Sequence, residues 1–336
     1  MRVVIVGAGP AGVTAAETLR ENDGSAEIVM VSAEPCPPYS PPAMLEYFTS
    51  GREVHLWKGR DFPAAQGIDY RPGTRVASID PDRRSIRLDS GDSLTWDRLL
   101  LASGARLYAP LPGQDKPGIY NFKSLTAAEE LMAKVRGGRA RSAVIVGAGF
   151  IGVEIGLVLA DMGLKVTQLV RSRVMRSMLD EELSQMVLRL MERRGVRVLQ
   201  GAEVDATAFA GELRVEGVQV KSGEVLRADL VVAATGLKPN MDYLAGSGVR
   251  TDWGIPVDDH QRTNLPDVFA AGDVAETADR LTGRRYIHGN FPNAVAQGRV
   301  AGCNLLGWDV AYEGADSMNS LKHLGLPVMA VGEMEG

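Results

Sequence analysis

With 336 residues the chain exceeds what one hydrophobic core usually organises, so two domains are expected. Hydrophobic residues make up 45% and charged residues 24%, which excludes wholesale disorder and fibrous repeats. A net charge of −5 leaves no global basic field for nucleic acid or an anionic membrane. The 2 cysteines, Cys36 and Cys303, make neither a CxxC pair nor a disulfide framework, and the 4 histidines (His55, His260, His288, His323) lack metal-ligand spacing. No metal site is expected, and a reducing cytoplasm fits this usage.

Taken in chain order, Arg2–Val6 is a β-branched run, followed by Gly7-Ala8-Gly9-Pro10-Ala11-Gly12, a helical pattern over Val13–Arg20 and a strand over Glu27–Val31. The glycines interrupt the apolar stretch Met1–Ala16, so it reads as strand, turn and helix rather than a signal peptide. Pro35–Pro42 holds five prolines with Tyr39 and Ser40, a rigid extended loop. Short strands are expected over Ser85–Leu88 and Thr95–Leu101. Then the opening pattern repeats: Ala143–Val146, Gly147-Ala148-Gly149-Phe150-Ile151-Gly152, a helix over Val153–Met162 and a strand over Lys165–Val170. Glu154 and four glycines inside Ala143–Ala160 exclude a membrane span there. Leu183–Arg194 is an amphipathic helix leading into a strand over Val196–Leu199. Loop signals at Gly104–Gly118 and Gly236–Asn240 bracket the second copy. The expected fold is α/β: two Rossmann-like three-layer dinucleotide-binding domains, the second inserted into a discontinuous first.

In each glycine turn the first glycine (Gly7, Gly147) permits the tight turn. The second (Gly9, Gly149) lets backbone approach a pyrophosphate, and the third (Gly12, Gly152) lets helix and strand pack closely. Phosphate oxygens then meet free N–H groups and the positive dipole end of a helix. The strand ends separate the two ligands. Glu34, after the first copy, is placed to accept from a ribose 2′-OH and repels a 2′-phosphate. After the second copy no acid stands at the strand end. Arg171, Arg173 and Arg176 follow instead, and guanidinium forks match a 2′-phosphate.

These features resemble the FAD-dependent pyridine nucleotide–disulfide oxidoreductase superfamily, closest to its branch without a redox disulfide: rubredoxin and ferredoxin reductases and the flavin part of assimilatory nitrite reductases. Val3–Gly12, with Pro10 and Ala11, is similar to the family's FAD-pyrophosphate motif, and Glu34 to its ribose acid. The stretches 99–105, with Ser103 and Gly104, and 231–236, ending at Gly236, resemble the family's two crossing segments. Thr263–Val274 is similar to the second FAD motif, in which Gly272 precedes Asp273, the acid implied to hold the flavin ribityl chain. Asn290–Gly302, with Asn293, resembles the helix that points at the flavin pyrimidine edge. The resemblance further implies NAD(P)H on Gly147, Gly149, Phe150, Ile151 and Gly152, with Phe150 as an aromatic gate and Glu154 near the nicotinamide. Arg171 and Arg176 are the implied 2′-phosphate pair.

The resemblance divides the chain into a first FAD-binding segment (1–110), an NAD(P) domain (111–238), a second FAD-binding segment (239–316) and the start of a reduced or truncated interface domain (317–336). It implies an enzyme that takes hydride from NAD(P)H onto FAD. Electrons would then pass to a small redox protein or a partner redox subunit. Where thiol-using relatives carry a reactive cysteine, this chain reads Tyr39-Ser40-Pro41-Pro42-Ala43-Met44, so no cysteine relay is expected. Pro41 and Glu46 stand where ferredoxin-reductase relatives often carry arginine and lysine. The alternatives are an NAD(P)H oxidase or quinone reductase, and a nucleotide-sensing flavoprotein of the apoptosis-inducing-factor type. An oligomer is compatible with all three.

Overall fold

The computed structural model describes residues 1–321 and 328–332. The chain groups into two compact units. The first comprises Met1–Tyr47, Gly51–Arg106 and Lys238–Ser317. The second comprises Phe48–Ser50, Leu107–Leu237 and the described residues from Met318 on.

The first leg of unit 1 runs β1 (Arg2–Val6), α1 (Pro10–Asn22) and β2 (Glu27–Val31). Two short helices follow, α2 (Met44–Ser50) and α3 (Phe62–Ala65), and then β3 (Asp69–Arg71). An antiparallel meander of β4 (Val76–Asp80), β5 (Ser85–Leu88) and β6 (Ser93–Thr95) precedes β7 (Arg98–Leu101) and β8 (Ala105–Leu107). Unit 2 then builds β9 (Ile119–Tyr120), α4 (Leu125–Arg136), β10 (Ser142–Val146), α5 (Phe150–Asp161), β11 (Lys165–Val170), α6 (Glu181–Arg193) and β12 (Val196–Gln200). Its own meander is β13 (Ala206–Ala210), β14 (Gly217–Val220) and β15 (Val225–Arg227), followed by β16 (Leu230–Ala233). After β17 (Leu237–Pro239) the chain adds β18 (Ile255–Pro256), β19 (Val268–Ala270), β20 (Ala275–Ala278), β21 (Arg285–Tyr286) and α7 (Phe291–Leu305) to unit 1. A hairpin of β22 (Met318–Leu321) and β23 (Val328–Val331) belongs to unit 2.

Each unit is organised by a five-stranded parallel sheet, ordered β19-β7-β1-β2-β3 in the first and β12-β11-β10-β16-β9 in the second. Such sheets are covered on both faces, and β1 accordingly buries Val3, Val4, Ile5 and Val6. Val4 and Val6 join the core formed with Leu99, Leu101 and the meander residue Ile86, whereas Val3 and Ile5 join the core of α1 and α7. The two openings share one plan: β1 pairs with β2 and β7, and β10 with β11 and β16.

The single strand expected over Thr95–Leu101 is two strands. The Trp96 N–H donates to Arg84 O and the Asp97 N–H to Arg2 O, and at that point the chain leaves the antiparallel meander for the parallel sheet. Hydrophobic alternation does not register a change of partner. The extended proline loop closes into a single 3₁₀ turn over Pro41–Ala43. Of the segment 317–336, residues 322–327 and 333–336 lie outside the described residues. Among the described residues, no helix is long and apolar enough to cross a membrane.

Helices α1 and α7 run in the same direction in close contact. A Cβ on Gly298 would lie 2.3 Å from Ala11 O, and one on Gly302 would lie 2.8 Å from the Thr18 Cβ. Both helices therefore present their positive ends on the same side. Gly298→Ala forces backbone against backbone and is expected to lower unfolding stability by about 1–3 kcal/mol in urea titrations. Stability equal to the parent's would contradict the α1–α7 packing.

Candidate functional site: two uncapped helix starts over glycine turns

Among the described residues, five helices have 12 residues or more, and their first turns are of two kinds. In α4, α6 and α7 a side chain caps the start: Ser124 accepts from the Ala127 N–H, Asp180 from Leu183 and Asn290 from Asn293. The Ncap residues of α1 and α5 are Gly9 and Gly149, and neither has a side chain to cap with. The free N–H groups of a first helical turn need an acceptor. Here that acceptor must come from outside the helix. A Cβ on Gly9 or Gly149 would meet nothing within 4 Å, so open space stands in front of both turns. The glycine before each is packed tight: a Cβ on Gly7 would lie 2.1 Å from Ala102 O, and one on Gly147 2.4 Å from Ala234 O, each at positive φ. A dinucleotide pyrophosphate fits both cradles in charge and in space.

In unit 1 the cradle continues into an open cleft of about 190 Å³. Gly7, Val31, Arg75, Ser103 and Tyr243 are among the residues that line it. Glu34 is half-buried beyond β2, and its carboxylate accepts from the Cys36 thiol at 3.6 Å. Ser103 and Gly104 are tied to the returning chain. Ser103 Oγ donates to Asn240 O at 2.8 Å, Tyr243 OH donates to Ser103 Oγ at 2.9 Å, and the Asn240 N–H donates to Gly104 O. Burial raises the Tyr243 phenol, countered in part by the Ser103 bond, so it serves as a neutral donor.

Gly272 and Asp273 sit where α1 and α7 converge. The Gly272 N–H donates to Gln297 Oε1 at 2.7 Å, and a Cβ on Gly272 would lie 3.0 Å from the Ala11 Cβ. Gly289, just before α7, faces the Asp273 carboxylate, about 3.8 Å from where its Cβ would be. Asn293, buried at 4% exposure, spends its side chain on the chain itself. Nδ2 donates to Asp316 O at 2.8 Å, and Oδ1 accepts from the Asp316 N–H and Tyr312 OH. Ahead of α7 lies a buried cluster. The Asp279 carboxylate accepts from Leu281 N–H, Thr282 N–H, Thr282 Oγ1 and Tyr286 OH, with His288 Nε2 at 3.3 Å.

In unit 2, Phe150 is buried, Ile151 exposed, Gly152 buried and Glu154 half-buried along α5. Gly236 O accepts from the Tyr108 N–H at 3.0 Å. Beyond β11, Arg171 and Arg176 are exposed. Arg173, read with them from the sequence, turns inward: its guanidinium donates to Arg176 O and Leu179 O and pairs with Glu181. Cys303 is half-buried, and burial raises its thiol pKa.

Sequence reading missed Gln297, Tyr243 and the buried Gln168 of β11, which act on partners 20 to 140 positions away, and the Asp279–His288 cluster, whose bonds span 2 to 9 positions. It also missed an exposed grouping in which His260 lies between Asp259 and Asp309, at 2.6 and 3.0 Å. Only adjacency in sequence hinted at it.

The family described as pyridine nucleotide-disulphide oxidoreductase matches residues 1–298. The NADH-dependent phenylglyoxylate dehydrogenase subunit epsilon of Aromatoleum evansii is 33% identical over 98% of the chain and 79% of its own length. The assimilatory nitrate reductase electron transfer subunit of Bacillus subtilis is 28% identical over 99% of the chain, which spans only 43% of that relative. Among solved structures, the ferredoxin reductase for the CYP199A2 system of Rhodopseudomonas palustris superposes with a TM-score of 0.90 at 30% identity. That match covers 100% of this chain and 83% of the other.

Burial alone would raise the Asp279 carboxyl, but the donors from Thr282, Tyr286 and Leu281 outweigh it and hold it at about 2. A depressed carboxylate stabilises the fold above its unfolded value near 4, and the contribution is lost as pH falls through the folded value. Asp279→Asn is expected to lower stability at pH 7 by about 2 kcal/mol and to flatten the acid limb between pH 4 and 2, read by thermal unfolding across pH. A variant whose acid limb matches the parent's would show that this carboxylate is not held as drawn.

Proposed function

Because the chain belongs to the pyridine nucleotide-disulphide oxidoreductase family, whose members are FAD-dependent and use NADH or NADPH, we propose that unit 1 holds FAD and unit 2 receives NAD(P)H. Electrons then leave to a small redox protein or a partner redox subunit without a thiol relay. The observation that carries this reading is the pair of uncapped helix starts, one per unit, each over a glycine turn with open space before it. Two dinucleotides would satisfy them.

Bound FAD supplies the chemistry of accepting a hydride and releasing electrons. The chain's own residues bind and orient. Gly9 admits the FAD pyrophosphate to the N–H groups of Ala11 and Gly12, while Pro10 offers no N–H and presets the helical φ. Glu34 accepts from the adenosine ribose, displacing the Cys36 thiol. Asp273 accepts from the ribityl chain, and Gln297 fixes the turn that carries it. The N-terminus of α7 offers positive potential to a flavin that gains negative charge on reduction. In this reading Asn293 secures the entry to that helix rather than touching flavin. In unit 2, Gly149 admits the nicotinamide nucleotide's pyrophosphate to the first turn of α5, at Phe150, Ile151 and Gly152. Glu154, one helical turn on, serves the nicotinamide end.

The acceptor follows from what the thiols do. Cys36 stands beside the acid that takes the adenosine ribose, at the end of the cofactor opposite the flavin, and the Cys303 thiol is pushed up by burial. Neither is suited to carry electrons. The ferredoxin reductase neighbour and the dehydrogenase-subunit relative support a protein acceptor. The cysteine usage supports a cytoplasmic setting.

Two experiments test this. Anaerobic reduction by NADPH, followed by mixing with a ferredoxin or rubredoxin, should reoxidise the flavin faster than air does. The Cys36→Ser, Cys303→Ser double variant should keep that turnover within about threefold. Oxygen as the faster acceptor, or a loss of orders of magnitude in the variant, overturns the reading.

The exposed Arg171 and Arg176 support NADPH as a donor at least as good as NADH, although the Aromatoleum relative is named for NADH. Replacing both with Ala should raise the apparent KM for NADPH by roughly tenfold or more, since two charge-assisted bonds would be lost. The KM for NADH should change little. A parent enzyme that strongly prefers NADH in stopped-flow reduction would leave these arginines as surface charge.

A further inference from the structure

Behind the two glycine turns, the units differ at a buried pair of positions that face each other. In unit 1, Ile5 pairs with Met30 across β1 and β2; in unit 2, Ile145 pairs with Gln168 across β10 and β11. One turn along the helix from the third glycine, unit 1 has Ala16 and unit 2 has Gly156. Met30 and Ala16 are fully buried and apolar. Gln168 is as deeply buried, at 0% exposure, yet polar.

The exchange is concerted. A Cβ on Gly156 would lie 2.6 Å from Gln168 Oε1, so an alanine there, as at Ala16, leaves no room for the amide. With glycine present, Gln168 Nε2 reaches the first glycine of the turn and donates to Gly147 O at 2.9 Å. It also lies 3.2 Å from where a Cβ on Gly152 would stand. The other end of the amide, Oε1, is buried without a hydrogen-bond partner. An unpaired buried oxygen weakens a fold, and a methionine of similar length avoids it. Stability therefore favours the arrangement in unit 1, and unit 2 departs from it at two positions at once.

We propose that Gln168 is a positioning residue for the nicotinamide nucleotide: it holds the Gly147 carbonyl so that the pyrophosphate cradle stays formed while empty. The inference rests on the reading that unit 2 takes NAD(P)H. A resident cofactor can supply its own ordering once and keep it. A substrate that leaves on every turnover meets an empty turn each time, and any ordering deferred to binding weakens affinity. A hydrogen bond inside the turn, made before the ligand arrives, removes that deficit. The turn of unit 1 has Met30 in this place, which cannot donate.

The test is titration calorimetry of the flavin-loaded protein with NADP⁺ and, separately, NAD⁺. The variants are Gln168→Met alone and Gln168→Met with Gly156→Ala, the latter recreating the arrangement of unit 1. Both are expected to weaken both nucleotides by the same factor, roughly 3- to 10-fold, the size of one net hydrogen bond. The FAD content per chain should be unchanged, and the double variant should melt no lower than the parent. In turnover the loss should fall on KM. Affinity equal to the parent's in the single variant overturns the proposal. So does a loss confined to NADP⁺, which belongs to the arginine end, or a loss that only tracks a fall in melting temperature. A parent that binds neither nucleotide overturns the function of unit 2 itself and this proposal with it, an outcome separable from the others because the parent fails before any variant is compared.

Discussion

Two helix starts with no side chain to satisfy them constrain everything else in this molecule. A glycine at the Ncap, with open space before it, leaves first-turn N–H groups to water or to a ligand. Serine or asparagine at either place would stabilise the helix and fill the cradle. The protein keeps the weaker start twice, at Gly9 and Gly149, and caps α4, α6 and α7 with Ser124, Asp180 and Asn290. Among the five long helices, the side-chain cap is missing only over the two glycine turns.

Around the first of these starts, small residues do the positioning. Ala11, Gly298 and Gly302 bring α1 and α7 to backbone contact, so Gly272 can sit against Ala11 and be held by Gln297. The turn that presents Asp273 is thus fixed by groups that never need to touch a ligand. Asn293 and Asp279 extend the same logic outward: one ties the chain after α7 to its first turn, and the other ties the hairpin before it. A site assembled this way is stiff because each element is held by a different neighbour.

Much of this was legible in the sequence, for reasons that show where legibility ends. Glycine turns, β-branched runs and helical periodicity are local, and the limits of β1, β2 and β11 fall where the residues place them. The duplication was visible because its elements recur in order. Side chains whose partners lie far along the chain were not visible. Arg173 reads as one of three equivalent arginines, yet it alone faces its own loop. Asn293 sits in a recognisable motif, yet its amide is spent on Asp316. Thr95–Leu101 looks like one strand because nothing local announces that its partner changes at Trp96. Motifs name the ligand; contacts made over tens of residues decide which side chains remain free for it.

The chain enters and leaves unit 2 at neighbouring points, for the Tyr108 N–H donates to Gly236 O. A folded body whose two ends lie side by side can interrupt another domain with little entropic burden on its host, which sees only a short closed gap. In genetic terms the stretch from Leu107 to Leu237 is a cassette. The surface residues of such a cassette can drift, or be exchanged whole with those of a distant cousin, while the turn that presents Asp273 and the helices behind it stay under separate selection. Phe48–Ser50 and the β22–β23 hairpin, encoded elsewhere but belonging to the same unit, are tethers that such a transplant must carry along or rebuild.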